Sequence, residues 1–105
     1  MAVERLRSKL TKENLWIYIL SMLRKGPMYG YEIASKLRGE LNINASIITT
    51  YVVLYKMEKE KLIQRERSKG KTSRKVYYSI TERGVLSLEK GLETLDDTLR
   101  TLREI

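Results

Sequence analysis

The hydrophobic pattern of this chain changes its period once, and that change limits the fold more than any other feature of the sequence. Before residue 62, apolar side chains recur every three or four positions, which is typical of amphipathic helices. From Leu62 the period is two, which predicts strands over residues 62–67 and 74–80. The stretch between them is polar and centres on Gly70, as expected for a hairpin tip. The sequence therefore predicts several helices, one β-hairpin and a last helix.

Four helical segments are expected before the hairpin. Pro27 ends the second of them, because its ring cannot continue the hydrogen-bond ladder of a helix. Thr11 and Ser46 are good N-caps for the second and fourth, and Thr81 is a good N-cap for the last helix of the chain. The four segments span residues 2–10, 11–25, 29–41 and 46–61. The apolar spacing of the fourth predicts a buried face made of Ile47, Tyr51, Leu54 and Met57.

The residue types that are missing argue against catalysis. The chain has no His and no Cys, so it lacks the commonest general base, the thiol nucleophile and the usual zinc ligands. We expect no catalytic site, no metal and no cofactor. The longest apolar stretch, residues 15–23, is far shorter than the ~20 residues that cross a bilayer. With no signal-peptide pattern at residues 1–10, the expectation is a cytoplasmic protein without a membrane partner.

Charge is distributed unevenly along the sequence. The net charge is +8, but residues 1–80 carry 17 basic and 7 acidic side chains, while residues 81–105 carry 4 and 6. The densest basic patch is residues 64–75, with six cations and one acid. Such a concentration of positive charge favours a polyanionic partner, with nucleic acid first and an anionic membrane surface second.

The order of the predicted elements is that of a winged helix-turn-helix. In such domains the second helix of the motif lies in the major groove, and a basic hairpin reaches the neighbouring minor groove. Here the helix pair would be residues 29–41 and 46–61, followed by the hairpin at residues 64–75. The predicted fold class is therefore mainly α with a small β-hairpin (α+β), with a winged-helix DNA-binding domain at residues 1–80. A small α+β domain with a solvated basic hairpin is the alternative.

The last segment predicts a dimerisation helix over residues 81–105. Its apolar residues are spaced 3, 4, 3, 4 and 3 positions apart, as in the seam of a coiled coil. A helix of this length is about 35 Å long, which one small domain cannot cover. A homodimer would match a palindromic operator with half-sites ~34 Å apart. The alternative is a helix that packs back on its own domain. The predicted seam consists of Val85, Leu88, Leu92, Leu95, Leu99 and Leu102.

Three stretches resemble the PadR family of winged-helix transcriptional regulators. The first is Gly26-Pro27-Met28-Tyr29-Gly30-Tyr31-Glu32-Ile33, which is similar to the family's Gly-Pro-x-x-Gly-Tyr-Glu-Leu/Ile. The second runs from Tyr51 to Ile63 and the third from Arg74 to Gly84. The chain departs from the family at Thr50, Val52 and Lys61, where the family has Leu, Pro and Gly.

The resemblance implies a dimeric repressor that reads DNA with residues 46–61. It also implies a small aromatic effector at the dimer interface, which would have to lie between two subunits near Trp16. Tyr31 and Tyr51 occupy family positions that are either core or phosphate-facing. Taken together, the predicted DNA-binding residues are Tyr31, Ser46, Thr49, Thr50, Tyr51, Lys56, Lys69, Lys71, Arg74 and Lys75.

A second function remains open at this point. The predicted reading helix is unusually apolar on its outer side, with Ile48, Val52 and Val53 and few side chains that can read base edges. This favours a sequence-neutral, nucleoid-type or RNA-binding protein as the alternative to an operator-specific regulator.

Overall fold

The computed structural model describes residues 1–67 and 75–105, with the side chain of residue 67 left out. Three predicted DNA contacts, Lys69, Lys71 and Arg74, lie outside the described residues. The elements, in chain order, are α1 (Ala2–Leu10), a 3-10 turn (Lys12–Asn14), α2 (Leu15–Leu23), β1 (Met28–Tyr29), α3 (Gly30–Gly39), α4 (Ile47–Lys59), β2 (Ile63–Arg67), β3 (Val76–Ile80) and α5 (Glu82–Glu104).

The helix caps predicted at Ser46 and Thr81 are confirmed, whereas the cap predicted at Thr11 is wrong, because its side chain makes no cap hydrogen bond and its hydroxyl donates to the Arg7 carbonyl instead. The Ser46 hydroxyl accepts a hydrogen bond from the Thr49 backbone N–H at the start of α4, and Thr81 does the same for Gly84 at the start of α5. The second helix is shorter than predicted, because residues 12–14 form a separate 3-10 turn and α2 begins at Leu15.

The hairpin is confirmed and belongs to a three-stranded antiparallel sheet with the order β1-β3-β2. We call the β2–β3 hairpin the wing. The extra strand β1 places Met28 opposite Tyr78 and Tyr29 opposite Tyr77. Two residues are too few to show a period of two, so the sequence pattern could not predict this strand.

The core lies between α2, α3, α4, the sheet and the start of α5. Its fully buried side chains include Ile19, Leu20, Ile33, Leu37, Leu54, Ile63 and Leu88. The predicted buried face of α4 is wrong at Ile47 and Tyr51, which are both exposed. Thr50 is fully buried in their place.

Thr50 enters the core with its polar atom satisfied. Its hydroxyl donates to the Ser46 carbonyl at 2.9 Å, which removes most of the cost of burying it. The prediction that Thr50 contacts DNA is therefore wrong, because no atom of its side chain reaches the surface.

A tight turn after α4 sets the direction of the wing. The N–H of Lys61 donates to the Glu58 carbonyl and the N–H of Leu62 to the Met57 carbonyl, both at 3.0 Å, which is a Schellman motif. Lys61 has φ of 66°, the left-handed conformation that this motif requires at its penultimate position. The Thr81 hydroxyl donates to the Lys61 carbonyl at 2.6 Å and ties the start of α5 to the same turn.

Helix α5 divides into a packed first part and an uncovered second part. Leu88 is fully buried in the core of its own chain, so its predicted place in a dimer seam is wrong, and Val85 is half-buried. The sequence pattern could not show this difference, because the apolar residues of a helix have the same spacing whether the chain's own domain or a second chain covers them. Although α5 is long, no helix in the described part of the chain is apolar enough to cross a membrane. The exposed leucines of the seam are Leu92, Leu95, Leu99 and Leu102.

Candidate nucleic-acid interface

The outer side of α4 is apolar. Ile48 is 77% exposed and Val52 is 48% exposed, one helical turn apart and opposite the buried Thr50 and Leu54. Tyr55 continues this stripe, and the Lys59 ammonium lies 5.3 Å from the centre of its ring. The first ten residues of the segment, 46–55, carry no charge. The prediction that Ile48 and Val52 face outwards is confirmed by their exposure, whereas the same prediction for Val53 is wrong, because Val53 is half-buried and packs against the core.

The start of α4 exposes two hydroxyl groups, those of Ser46 and Thr49. The Ser46 hydroxyl accepts from the Thr49 N–H and donates to the Thr49 Oγ1, each at 3.0 Å. Both residues are exposed, and a hydroxyl can rotate its proton towards a partner. Ser46 and Thr49 therefore both stay predicted contacts, at the exposed start of α4.

Tyr51 lies against the first residue of α3. A β-carbon built on Gly30 would be 2.5 Å from Cε1, Cζ and Oη of the Tyr51 ring, so only glycine leaves room for it. Tyr51 is 44% exposed, which leaves one edge of the ring at the surface. The two family motifs that carry Gly30 and Tyr51 therefore meet at one place.

The exposed side of α3 joins this surface. Tyr31, Ser35, Arg38 and Ile47 line a shallow recess of about 400 Å³ between α3 and the start of α4. The predicted contact Tyr31 thus adjoins the N-terminus of the reading helix α4. Arg38 was not predicted, although its spacing of seven from Tyr31 puts both on the same side of a helix.

The residue before β3 is a cation stacked on an aromatic ring. The Lys75 ammonium lies 4.3 Å from the centre of the Tyr29 ring, and that ring meets Tyr77 edge-to-face with centroids 5.7 Å apart. Because Tyr29 directly precedes α3, the stack brings the exposed Lys75 to the start of that helix.

An ion pair joins α4 to the wing. Arg65 on β2 contacts the Glu58 carboxylate near the end of α4 at 3.0 Å. Tyr78 stands opposite Arg65 in the sheet. Burial raises the pKa of the Tyr78 phenol above its ordinary value, and the Arg65 charge opposes part of that rise.

Lys56 lies apart from the other predicted contacts. It lines a cleft of about 540 Å³ between α2, α4 and α5, together with Trp16 and Arg83. The Trp16 ring also packs beside Gly91 of α5, where a β-carbon would be 2.9 Å from its Cη2. The small aromatic effector near Trp16 stays a prediction.

Most of this chain matches a model of a known protein family. The model described as the transcriptional regulator PadR-like family matches residues 19–90, well over half of the chain. The chain belongs to the PadR family. Its winged-helix fold and long last helix are those of this family of DNA-binding transcription regulators.

Solved structures of PadR proteins agree with this assignment. A PadR-like regulator from Bacillus cereus is 30% identical over 92% of this chain and 95% of its own, with a TM-score of 0.78. A transcriptional regulator from Clostridium thermocellum is 26% identical over 93% and 95%, also with a TM-score of 0.78. Bacillus subtilis PadR in complex with operator DNA is 32% identical over 74% of this chain and 46% of that one, with a TM-score of 0.67. A comparison with curated proteins found no match.

Proposed function

We propose that this PadR-family regulator is a homodimeric repressor that binds a palindromic operator. The observation that carries the proposal is the surface on which Tyr31 and Arg38 of α3 adjoin the start of α4, where Thr49 is exposed. Similarity to a PadR structure that contains operator DNA supports the same conclusion.

The proposed contacts divide into two kinds. The exposed side of α4 enters the major groove, where bases are read. Tyr31, Arg38, Thr49 and Lys75 surround it and supply donors or positive charge to the phosphates, which fixes the register of the protein on the duplex. Residues 1–80 carry a net charge of +10, so the whole domain is attracted to DNA.

The proposed dimer is supported by two helices that the single chain leaves uncovered. Helix α1 has no buried residue, and its apolar side chains Val3, Leu6 and Leu10 are exposed. The second part of α5 exposes four leucines of the predicted seam, from Leu92 to Leu102. Pairing two chains would remove both apolar surfaces from water.

The two uncovered helices also have complementary charge. Helix α1 carries Arg5, Arg7 and Lys9 against Glu4. Residues 92–105 carry four acidic and two basic side chains. Opposite charge favours an arrangement in which α1 of one chain lies along α5 of its partner.

Selection of binding sites from a random-sequence duplex pool tests the proposal. A homodimeric regulator predicts an enriched sequence with two-fold symmetry and half-sites about one helical turn, ~34 Å, apart. No enrichment over random duplex would favour the sequence-neutral alternative, and an enriched site without symmetry would contradict the dimer. A reporter promoter that carries the selected sequence should lose expression when the protein is produced, whereas a rise would contradict repression.

The salt dependence of binding tests the contact surface. Removing one phosphate contact lowers the slope of log affinity against log salt by about 0.9. We expect this change for Arg38→Ala and none for Lys90→Ala, an exposed cation on α5 outside the surface. Equal slopes for Arg38→Ala and the wild type would remove Arg38 from the interface.

A further inference from the structure

The apolar stripe on α4 lies where the proposed function puts the bases. Ile48 and Val52 are one turn apart and are turned away from the core, whose α4 members are Thr50, Leu54 and Met57. Ile48 is the most exposed large apolar side chain within any described helix. Exposed apolar side chains that cluster on one helix face mark a surface that binds something.

The same stripe lacks every side chain that usually reads a purine. Guanine is read by Arg or Lys and adenine by Asn or Gln, each through two hydrogen bonds. Residues 46–55 contain none of these four types. The first cation of the helix, Lys56, lines the cleft beside Trp16 rather than the stripe.

Only one group on the floor of the major groove suits an apolar side chain. Thymine presents its C5-methyl there, while the other three bases present hydrogen-bond donors and acceptors. Side chains four residues apart are about 6 Å apart along a helix, which is close to two base-pair steps of ~3.4 Å.

We propose that Ile48 and Val52 make the direct base contacts of this protein and that they bind thymine C5-methyl groups about two base pairs apart in each half-site. This inference rests on the proposed function and names the bases that the operator must contain. Thr49 and Tyr51, on either side of the stripe, contact the backbone and do not choose the base.

The expected discrimination is modest. Burying one methyl group changes affinity about four-fold, which corresponds to about 0.8 kcal/mol. Two methyls in each half-site give about 250-fold for a dimer if the four contacts are additive. Specific sites are commonly preferred by 10³-fold or more, so DNA shape and the wing must supply the remainder.

Replacement of thymine by deoxyuridine tests the proposal directly. The change removes the methyl group and leaves base pairing and every hydrogen-bonding group in place. The probe is the duplex that the protein selects from a random pool, with single thymines replaced in turn and affinity measured by fluorescence anisotropy. We expect a loss of about four-fold at two positions in each half-site and no loss at other thymines.

Protein variants assign each methyl to its side chain. Ile48→Ala should weaken binding to the thymine duplex and abolish the effect of deoxyuridine at one position, and Val52→Ala should do so at the other. Both side chains are exposed, so thermal unfolding should be unchanged. Leu86→Ala, at an exposed leucine on α5, is the control and should keep both deoxyuridine effects.

The outcomes separate this inference from the function on which it rests. Deoxyuridine could have no effect at any position while the protein still prefers its selected duplex to random DNA. In that case the proposed methyl contacts are wrong, and the proposed function as a sequence-specific regulator is unaffected. If the selected duplex binds no better than random DNA, both are wrong.

Discussion

The ring of Tyr51 occupies the space in which a β-carbon of Gly30 would lie, with three of its atoms 2.5 Å from that position. The contact joins the reading helix α4 to the first residue of α3. Because Gly30 has no side chain, the ring can lie across the start of α3 and still present one edge to the surface. The contact therefore sets the position of the Tyr51 ring relative to the start of α3, where Tyr31 follows Gly30.

Gly30→Ala should therefore weaken DNA binding more than it weakens the fold. The clash falls on the far end of a half-exposed ring, which can swing outwards, so the variant should still fold. Loss of an ordered tyrosine donor to a phosphate should reduce affinity about ten-fold, or about 1.5 kcal/mol. Anisotropy titration and thermal unfolding of the same sample measure the two effects.

A double-mutant cycle is the control for this prediction. In a Tyr51→Ala background, Gly30→Ala should cause no further loss of affinity, because the ring it displaces is absent. Additive losses in the double variant would show that Gly30 acts without Tyr51.

Lys61→Gly should stabilise the protein. Lys61 has φ of 66°, a conformation that costs an L-residue roughly 1–2 kcal/mol and costs glycine almost nothing. After allowance for the greater freedom of glycine in the unfolded chain, we expect the free energy of unfolding to rise by about 1 kcal/mol. Urea unfolding measures it, with Lys61→Ala as the control that loses the charge and keeps the β-carbon. Equal stability of the two variants would contradict the strained turn.

Thr50→Val and Thr49→Val should have different effects on DNA affinity, because Thr50 is a core residue and Thr49 is a surface residue. Thr50 is buried, and its backbone N–H still donates to the Ser46 carbonyl at 3.0 Å without the hydroxyl. Thr50→Val should change the free energy of unfolding by less than about 1 kcal/mol and leave DNA affinity unaltered. Thr49→Val removes a surface donor and should reduce affinity about five-fold. Reduced DNA affinity of a stable Thr50→Val protein would refute its assignment to the core.

Leu92→Lys combined with Leu99→Lys should produce monomers. Both leucines lie on the uncovered part of α5, so paired lysines would place four charges in the proposed interface. Leu86→Lys is the matched control, since Leu86 is exposed on the same helix but lies outside the seam. Sedimentation equilibrium measures the mass. A dimer that persists in the double variant, or one that Leu86→Lys disrupts, would contradict the proposed interface.

Local signals in the sequence predicted the local structure well. Ser46 and Thr81 were expected to cap their helices because a cap depends on residues within one turn. The apolar spacing could not predict that Thr50 is buried, because its side chain is polar. Its hydroxyl can be buried because it donates to the Ser46 carbonyl, which comes within reach only when the helix has formed.

The sequence pattern could not predict contacts between residues that are far apart in the chain. The fit of Tyr51 on Gly30 joins two helices, and neither segment alone shows which residue the other will meet. The seam of α5 keeps one spacing throughout, so nothing in it marks Leu88 as the last leucine that the domain itself covers. The sequence could not single out Arg38, because an exposed cation on a helix is usually solvated surface, and Lys36 on the same helix is exposed as well.

The most direct test of the proposed interface places a negative charge on the exposed side of α4. Ile48→Glu should leave thermal unfolding unchanged, because Ile48 is exposed, and should reduce affinity for the selected duplex at least about 100-fold, since a carboxylate in the groove faces the phosphates. Leu86→Glu adds the same charge on α5 and should bind with an affinity close to that of the wild type. Wild-type affinity of the Ile48→Glu protein would contradict the central claim that α4 enters the DNA.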